Sequence, residues 1–248
     1  MLQVLTTTPE TWSTIVRTAS SIIEEVNFEF HPDMASMRSM DPSHIALVNL
    51  EWVAPSFEKY ICDSENILSI RLADLDKIIK RADANDKVEL SLGEERTLVI
   101  KLFDGYKREF SIHLLDSQYT SVPLPKVTYS AKVIMPLKSL RNVLDDISAV
   151  SEQVNIKLDK SGASFAGSSE SGKASASIAA GSGDIKDMSV KDAVSATYSV
   201  EYLNKFLKSL NPAKEISLEF GNKMPIKLEV QLDEKGSKLQ YYLAPRVD

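Results

Sequence analysis

The chain has 248 residues, 43% hydrophobic and 26% charged, an ordinary globular balance with room for one large domain or two smaller ones. No apolar run reaches the length of a membrane span, no secretory leader is expected at the N-terminus, and the single Cys62 excludes an internal disulfide and points to a reducing, cytosolic compartment. A net charge of −6, taken alone, argues against a nucleic-acid partner. In residues 9–25 the apolar positions Trp12, Ile15, Val16, Ala19, Ile22 and Ile23 recur at helical spacing, with Thr8 as N-cap and Pro9 as the first helical residue. Strands are expected at 45–53 and 67–72, a short helix at 74–82, and strands at 88–92, 97–103 and 109–115. Residues 116–129, with two prolines and several small polar residues, read as an extended surface linker. Beyond it come a strand at 131–135, a helix at 137–149, and strands at 154–158, 163–166, 174–180 and 195–200. A helix at 201–210 and strands at 215–220, 226–232 and 238–243 complete the order.

The second half repeats the first at an offset of 128 residues. Leu75, Ile78, Ile79 and Lys80 line up with Leu203, Phe206, Leu207 and Lys208. Val88, Leu90, Leu92 and Gly93 line up with Ile216, Leu218, Phe220 and Gly221, and Leu98, Ile100 and Leu102 with Ile226, Leu228 and Val230. Ile15, Val16, Ala19 and Ile22 fall on Val143, Leu144, Ile147 and Val150. An offset held from about residue 15 to residue 230 makes two copies of one fold the reading, not chance periodicity. The expected class is α+β: two similar domains of antiparallel sheets with two helices each, at 1–115 and 130–248, joined by a connector at 116–129. There is no strand–helix–strand alternation to build a parallel doubly wound sheet.

Catalytic and cofactor signatures are not found. His31, His44 and His113 lie far apart and none has a partner at zinc spacing, so no metal is expected. No phosphate-binding glycine loop, dinucleotide fingerprint or nucleophile elbow occurs. Asp145–Asp146 and Glu94–Glu95 are sequence neighbours and diverge around a helix, so they read as solvated surface. Neither an enzymatic activity nor a cofactor is expected. An enzyme with a dispersed active site between the domains is the rival class.

Charge is unevenly distributed. The second helix sets Lys77, Lys80 and Arg81 away from its apolar stripe. The third does so with Lys138 and Arg141, and the fourth with Lys205 and Lys208. The first offers only Arg17. Each face alone reads as solvated surface. Because Lys77 and Lys80 recur as Lys205 and Lys208, a common phosphate-facing surface is the reading preferred here, with Arg17 and Lys214 contributing less.

Three motifs in order, SMDPSHIALVNL at 39–50, KMPIKLEV at 223–230 and YYLAPRV at 241–247, resemble the proliferating cell nuclear antigen family, the DNA sliding clamps of archaea and eukaryotes. The likeness spans essentially the whole chain and looks archaeal. It implies three subunits in a closed ring, sheets outside and helices lining the hole. It further implies a non-enzymatic processivity factor that encircles double-stranded DNA without reading its sequence. The implied partners are DNA polymerase, flap nuclease, DNA ligase and a clamp loader, bound through short peptide motifs, in an archaeal cell and at its nucleoid. The family's client pocket, carried over by position, is lined by Met40, His44, Ile45, Leu47, Val122, Leu124, Pro125, Tyr129, Pro225, Tyr242, Leu243, Ala244 and Pro245. Ile45, Leu47 and Leu243 equally fit strand core. The implied subunit contact joins Arg108, Phe110, Ile112 and Leu114 to Ala174, Ala176, Ile178 and Ala180 of the next subunit. One subunit of a heterotrimeric ring and a checkpoint-type relative are further readings. Where the family commonly places lysines on the first helix, this chain has Ser13, Thr14 and Ser20.

Overall fold

A computed structural model describes residues 1–116, 122–211 and 214–246. In the first half the order is β1 (Leu2–Thr6), α1 (Glu10–Ser20), β2 (Glu25–Phe30), β3 (Met34–Met40), β4 (Ala46–Val53), β5 (Lys59–Cys62) and β6 (Asn66–Arg71), then α2 (Leu72–Ile79), β7 (Lys87–Leu92), β8 (Thr97–Asp104) and β9 (Tyr106–His113). The second half runs β10 (Ala131–Pro136), α3 (Leu137–Ser148), β11 (Gln153–Asp159), β12 (Gly162–Ser169), β13 (Gly172–Ala179), β14 (Asp187–Val190) and β15 (Val194–Ser199), then α4 (Val200–Ser209), β16 (Glu215–Phe220), β17 (Ile226–Gln231) and β18 (Lys238–Leu243). Each element of the first list has its counterpart in the second. β5 and β14, β6 and β15, and β7 and β16 coincide at both ends when shifted by 128 residues. A longer turn before β18 breaks that offset.

The strand orders repeat as well. β5-β1-β7-β8-β9 is matched by β14-β10-β16-β17-β18, and β4-β3-β2-β6 by β13-β12-β11-β15. Neighbouring strands pair antiparallel, for example Val88↔Leu102 in β7–β8 and Ile156↔Phe165 in β11–β12. Two compact units emerge. The first comprises Met1–Pro42, Val48–Pro123 and Gln231–Leu239, the second Ser43–Leu47, Leu124–Val230 and Gln240–Asp248.

Each unit packs its helices in a pair, α1 beside α2 and α3 beside α4. The buried positions explain why. Leu137, Leu140, Val143, Leu144 and Ile147 form one stripe of α3, and Val200, Leu203, Phe206 and Leu207 one stripe of α4. In the first unit Trp12 of α1 meets Trp52 of β4 edge-on at 4.8 Å, and Trp52 stacks on Phe57 at 4.3 Å. In the second, Phe206 stacks on Tyr241 at 4.6 Å. Full burial of such a side chain contributes roughly 1.5–3 kcal/mol. Gly162 opens β12 at φ +143°, where a Cβ would meet the Ile178 carbonyl oxygen at 2.1 Å. Only glycine lets the β12–β13 hairpin close there.

Several expected boundaries move. α1 ends at Ser20, not at 25, because the chain turns through Ser21–Ile23 to enter β2 at Glu25. Its cap is Pro9, without a side-chain bond, so Thr8 does not cap it. β1, β2, β3, β5 and β14 were not expected. They carry short or weakly alternating apolar patterns and owe their stability to neighbours distant in sequence. Residues 117–121 of the expected connector, and Val247 of the C-terminal motif, lie outside the described residues. Among the described residues no helix is long and apolar enough to cross a membrane.

Candidate functional site

Three surface features carry the residues singled out from sequence. The first is a pair of strand edges. β9 bonds only to β8, and β13 only to β12, each ending its sheet. No residue of either strand is buried. On β9, Arg108, Phe110 and Ile112 share the half-covered face, as Ala174, Ala176 and Ile178 do on β13. Leu114 follows β9, its N–H donating to Arg96 O at 2.9 Å. Ala180 lies past β13, its N–H donating to Ser161 O at 2.7 Å. Arg108 is folded back on its own unit. Its guanidinium pairs with the buried Asp86, donates to Arg81 O at 2.6 Å and lies over the Tyr106 ring. It therefore shapes the edge more than it projects from it.

Their repeat counterparts behave differently. β18 is the neighbour of β4. In the second unit Ala244 N–H donates to Ile45 O at 2.9 Å. In the first, Lys238 Nζ lies 2.9 Å from Glu51 and Val53 N–H donates to Ser237 Oγ at 3.2 Å. Both strands are largely buried.

The second feature is the polar helix faces. In the first unit Lys77 pairs with Asp74 at 3.2 Å, Lys80 pairs with Asp76, and Arg81 is exposed. Arg17 is exposed and donates to Ser13 O one turn back. In the second unit Lys205 pairs with Glu201 at 2.7 Å, which holds that carboxyl below its usual range. Lys138 and Lys208 are exposed and make no ion pair among the described residues. Lys214 is half-buried and its carbonyl accepts the Leu137 N–H at the start of α3. Arg141 differs from all of these. Its Nε donates to Leu207 O at 3.0 Å and its Nη2 to Leu210 O at 2.7 Å. It closes the C-terminus of α4, where unpaired carbonyls and the helix dipole favour a cation. Burial pushes its guanidinium pKa down.

The third feature is an apolar surface of the second unit. Ile45 is 38% exposed and Met224 39%. His44, also exposed, adopts φ +57°, which turns the chain into Ile45. Leu124, Pro125, Pro225, Ala244 and Pro245 are half-covered. Leu47 and Leu243 are core at 2% and 0% exposure, the alternative their strand positions allowed. Tyr242 is buried, and Tyr129 carries a buried hydroxyl with no hydrogen-bond partner among the described residues. Burial pushes the Tyr129 phenol up, with Tyr242 and Glu219 adding to it. Met40 and Val122 belong to the first unit, where Arg38 Nη1 donates to Val122 O at 3.0 Å and fixes the chain just beyond the undescribed segment. Met224, not among the residues carried over from the family, stands inside one of the motifs. A separate cavity of about 480 Å³ in the second unit is lined by polar residues such as Asn155, Lys173 and Thr197, unlike this apolar surface.

A duplicated chain in which paired helices back antiparallel sheets, with β9 and β13 each ending a sheet, defines the DNA-clamp class of fold. Family models agree in both halves: the N-terminal domain of proliferating cell nuclear antigen matches residues 1–119, and its C-terminal domain residues 123–246. The chain belongs to the proliferating cell nuclear antigen family. It is 34% identical over 234 residues to the DNA polymerase sliding clamp of Cenarchaeum symbiosum, covering 94% of this chain and 93% of that one. It is 31% identical to that of Pyrococcus horikoshii, covering 94% of each. Among solved structures, PCNA from Thermococcus kodakaraensis superimposes with a TM-score of 0.95 at 21% identity, over 99% of this chain and 100% of that one. A. fulgidus PCNA bound to the C-terminal region of FEN-1 superimposes at 0.91 and 23% identity, over 100% and 99%.

Proposed function

We propose that this chain is the subunit of a sliding clamp: a closed ring of three copies that encircles duplex DNA and tethers replication and repair enzymes to it, without chemistry of its own. The observation that carries this reading is the mismatch between repeated strands. β9 and β13 are the counterparts of β18 and β4, which are neighbours within the chain. Unpaired strand edges are templates for another chain. A β9–β13 contact between copies would reproduce the β18–β4 neighbourhood, and the alanines of β13 allow close approach.

In that ring the exposed lysines of α2 and α4, with Lys138, Arg81, Arg17 and Lys214, meet phosphates. A clamp that slides must contact backbone and not bases. Lysine suits this, as a flexible point charge without a preferred bidentate geometry. Arg141 serves the fold of α4 first. The apolar surface at Ile45, Met224, Leu124, Pro125, Tyr242 and Ala244 takes a short helical turn from client proteins, the helix-in-groove mode. The A. fulgidus relative is bound to the C-terminal region of FEN-1, which supports a client role for this family member. Tethering raises effective concentration at the primer end.

Light scattering on the purified chain tests the assembly. The expected mass is three times 27.5 kDa. A concentration-independent monomer would instead require paralogous partner subunits.

A further inference from the structure

Strand register gathers three side chains that the sequence keeps apart. In the β2–β6 pairing Glu29 stands opposite Ile67 and Phe30 opposite Asn66. The next step along both chains places His31 across from Glu65. Side chains alternate along an extended chain, so Glu29 and His31 leave on the same face. The His31 backbone is held at both ends. Its N–H donates to Met34 O at 2.8 Å, closing the β2–β3 turn, and its carbonyl accepts the Tyr60 hydroxyl at 2.7 Å. Its ring lies between the two carboxylates, Nε2 at 3.7 Å from Glu29 and Nδ1 at 3.9 Å from Glu65. Both distances exceed hydrogen-bond range. One ligand atom from each of the three residues lies within 4.8 Å of the others.

We infer that Glu29, His31 and Glu65 form a binding site for a divalent transition-metal ion of the zinc type. Imidazole nitrogen and carboxylate oxygen are both donors that zinc takes, and zinc sites with three protein ligands leave a fourth position to water. The nitrogen donor selects against magnesium and calcium, which take oxygen ligands. Zinc bonds of about 2.0–2.2 Å set tetrahedral ligands about 3.4 Å apart. A separation at the 4.8 Å limit must therefore contract by about 1.4 Å. Glu65 can supply that movement, because it is exposed in the turn between β5 and β6 and its side chain has room to rotate. The inner two ligands are partly covered; Glu29 lies in β2, which is paired on both sides by β3 and β6, and His31 directly follows that strand. The bound ion would join the β2–β3 turn to the β5–β6 connection and so pin β6, which ends its sheet. None of the three residues belongs to the strand edges, lysine faces or apolar surface described above, so this site adds to the clamp reading and does not depend on it.

The test uses the full chain, stripped with chelator and dialysed, and titrated calorimetrically with Zn²⁺ alone. One ion per chain is expected, together with a rise in Tm, since a ligand that binds only the folded state stabilises it by mass action. Glu65→Gln and His31→Ala should each weaken zinc binding by more than about tenfold, the least expected when a ligand itself is lost. Glu65→Gln, at an exposed turn, should keep the zinc-free Tm of the parent, so it decides the matter even if His31→Ala folds poorly. Absence of zinc binding by the parent, or undiminished binding by Glu65→Gln, overturns the site. An equal rise in Tm with Mg²⁺ overturns the nitrogen-donor assignment.

Discussion

β4 and β13 descend from the same position of a repeated unit, as do β18 and β9, yet the two pairs have opposite environments. β4 presents Leu47, Val48, Leu50 and Trp52, all at 2% exposure or less. β13 presents Ala174, Ala176 and Ile178 and buries none of its residues. Large apolar side chains at β4 are held by a complete set of neighbours. Small ones at β13 leave an edge that a second backbone can approach. The difference shows that duplication preserves a backbone pattern, whereas the side chains of each copy differ between a strand covered within the chain and one that ends its sheet.

The largest expected effects come from placing a charge in each strand. Leu50→Asp in β4 should unfold the first unit, because an unpaired buried carboxylate in a packed core costs more than about 4 kcal/mol. Ile178→Asp in β13 should leave Tm nearly unchanged while the mass by light scattering falls from three chains to one. A trimer that survives Ile178→Asp breaks the proposed role of the β13 edge.

The next comparison sets exposed against buried apolar residues in the second unit. Ile45→Ala should weaken a client peptide by about tenfold, the scale of one hot-spot contact, with Tm unchanged. Leu47→Ala should lower stability by about 2–5 kcal/mol through a core cavity, and affinity only secondarily. Equal peptide affinity in the parent and Ile45→Ala, measured by calorimetry, would show that the binding surface lies elsewhere.

The cations divide similarly. Arg141→Ala should destabilise the second unit by about 1–3 kcal/mol, because carbonyls at the end of α4 lose a charged donor. Lys138→Ala on the same helix should stay within about 0.5 kcal/mol. Replacing Lys77, Lys80, Lys205 and Lys208 together by alanine should reduce polymerase stimulation and flatten its salt dependence, since fewer phosphates are neutralised. Trimer mass should not change. Parental stimulation by the quadruple variant at every salt concentration would reduce these faces to solvated surface.

The smallest effect concerns pH at the β11–β12 turn. Hydrogen bonds from Ser161 and Lys157 hold the Asp159 carboxyl at about 2. A depressed folded-state pKa contributes stability that is present above the unfolded value, near 3.9, and is lost as pH falls toward 2. Local opening of this turn in that window should appear in the Ser161 amide resonance. Asp159→Asn should remove the pH dependence.

The duplication was legible because its evidence is local and periodic. Leu75, Ile78 and Ile79 and their counterparts Leu203, Phe206 and Leu207 repeat a helical stripe that any neighbouring sheet would bury. Strands at 88–92 and 215–220 were legible for the same reason, with a period of two in place of 3.6. β5 and β14 were not, because four residues with little alternation hold their shape only through their partners. Arg141 and Lys138 looked equivalent, being three residues apart on one helix. Nothing in that spacing shows that the end of α4 lies within reach of one and not the other.

Sequence alone therefore determined the α+β class, the two-fold repeat and the buried face of each helix, since these follow from residue order over one or two turns of chain. The tertiary structure decided which repeated strands are covered, which cation closes a helix end, and that Glu29 and His31 meet Glu65. Each of those depends on register between segments tens of residues apart, and register is set by the packing of the whole unit.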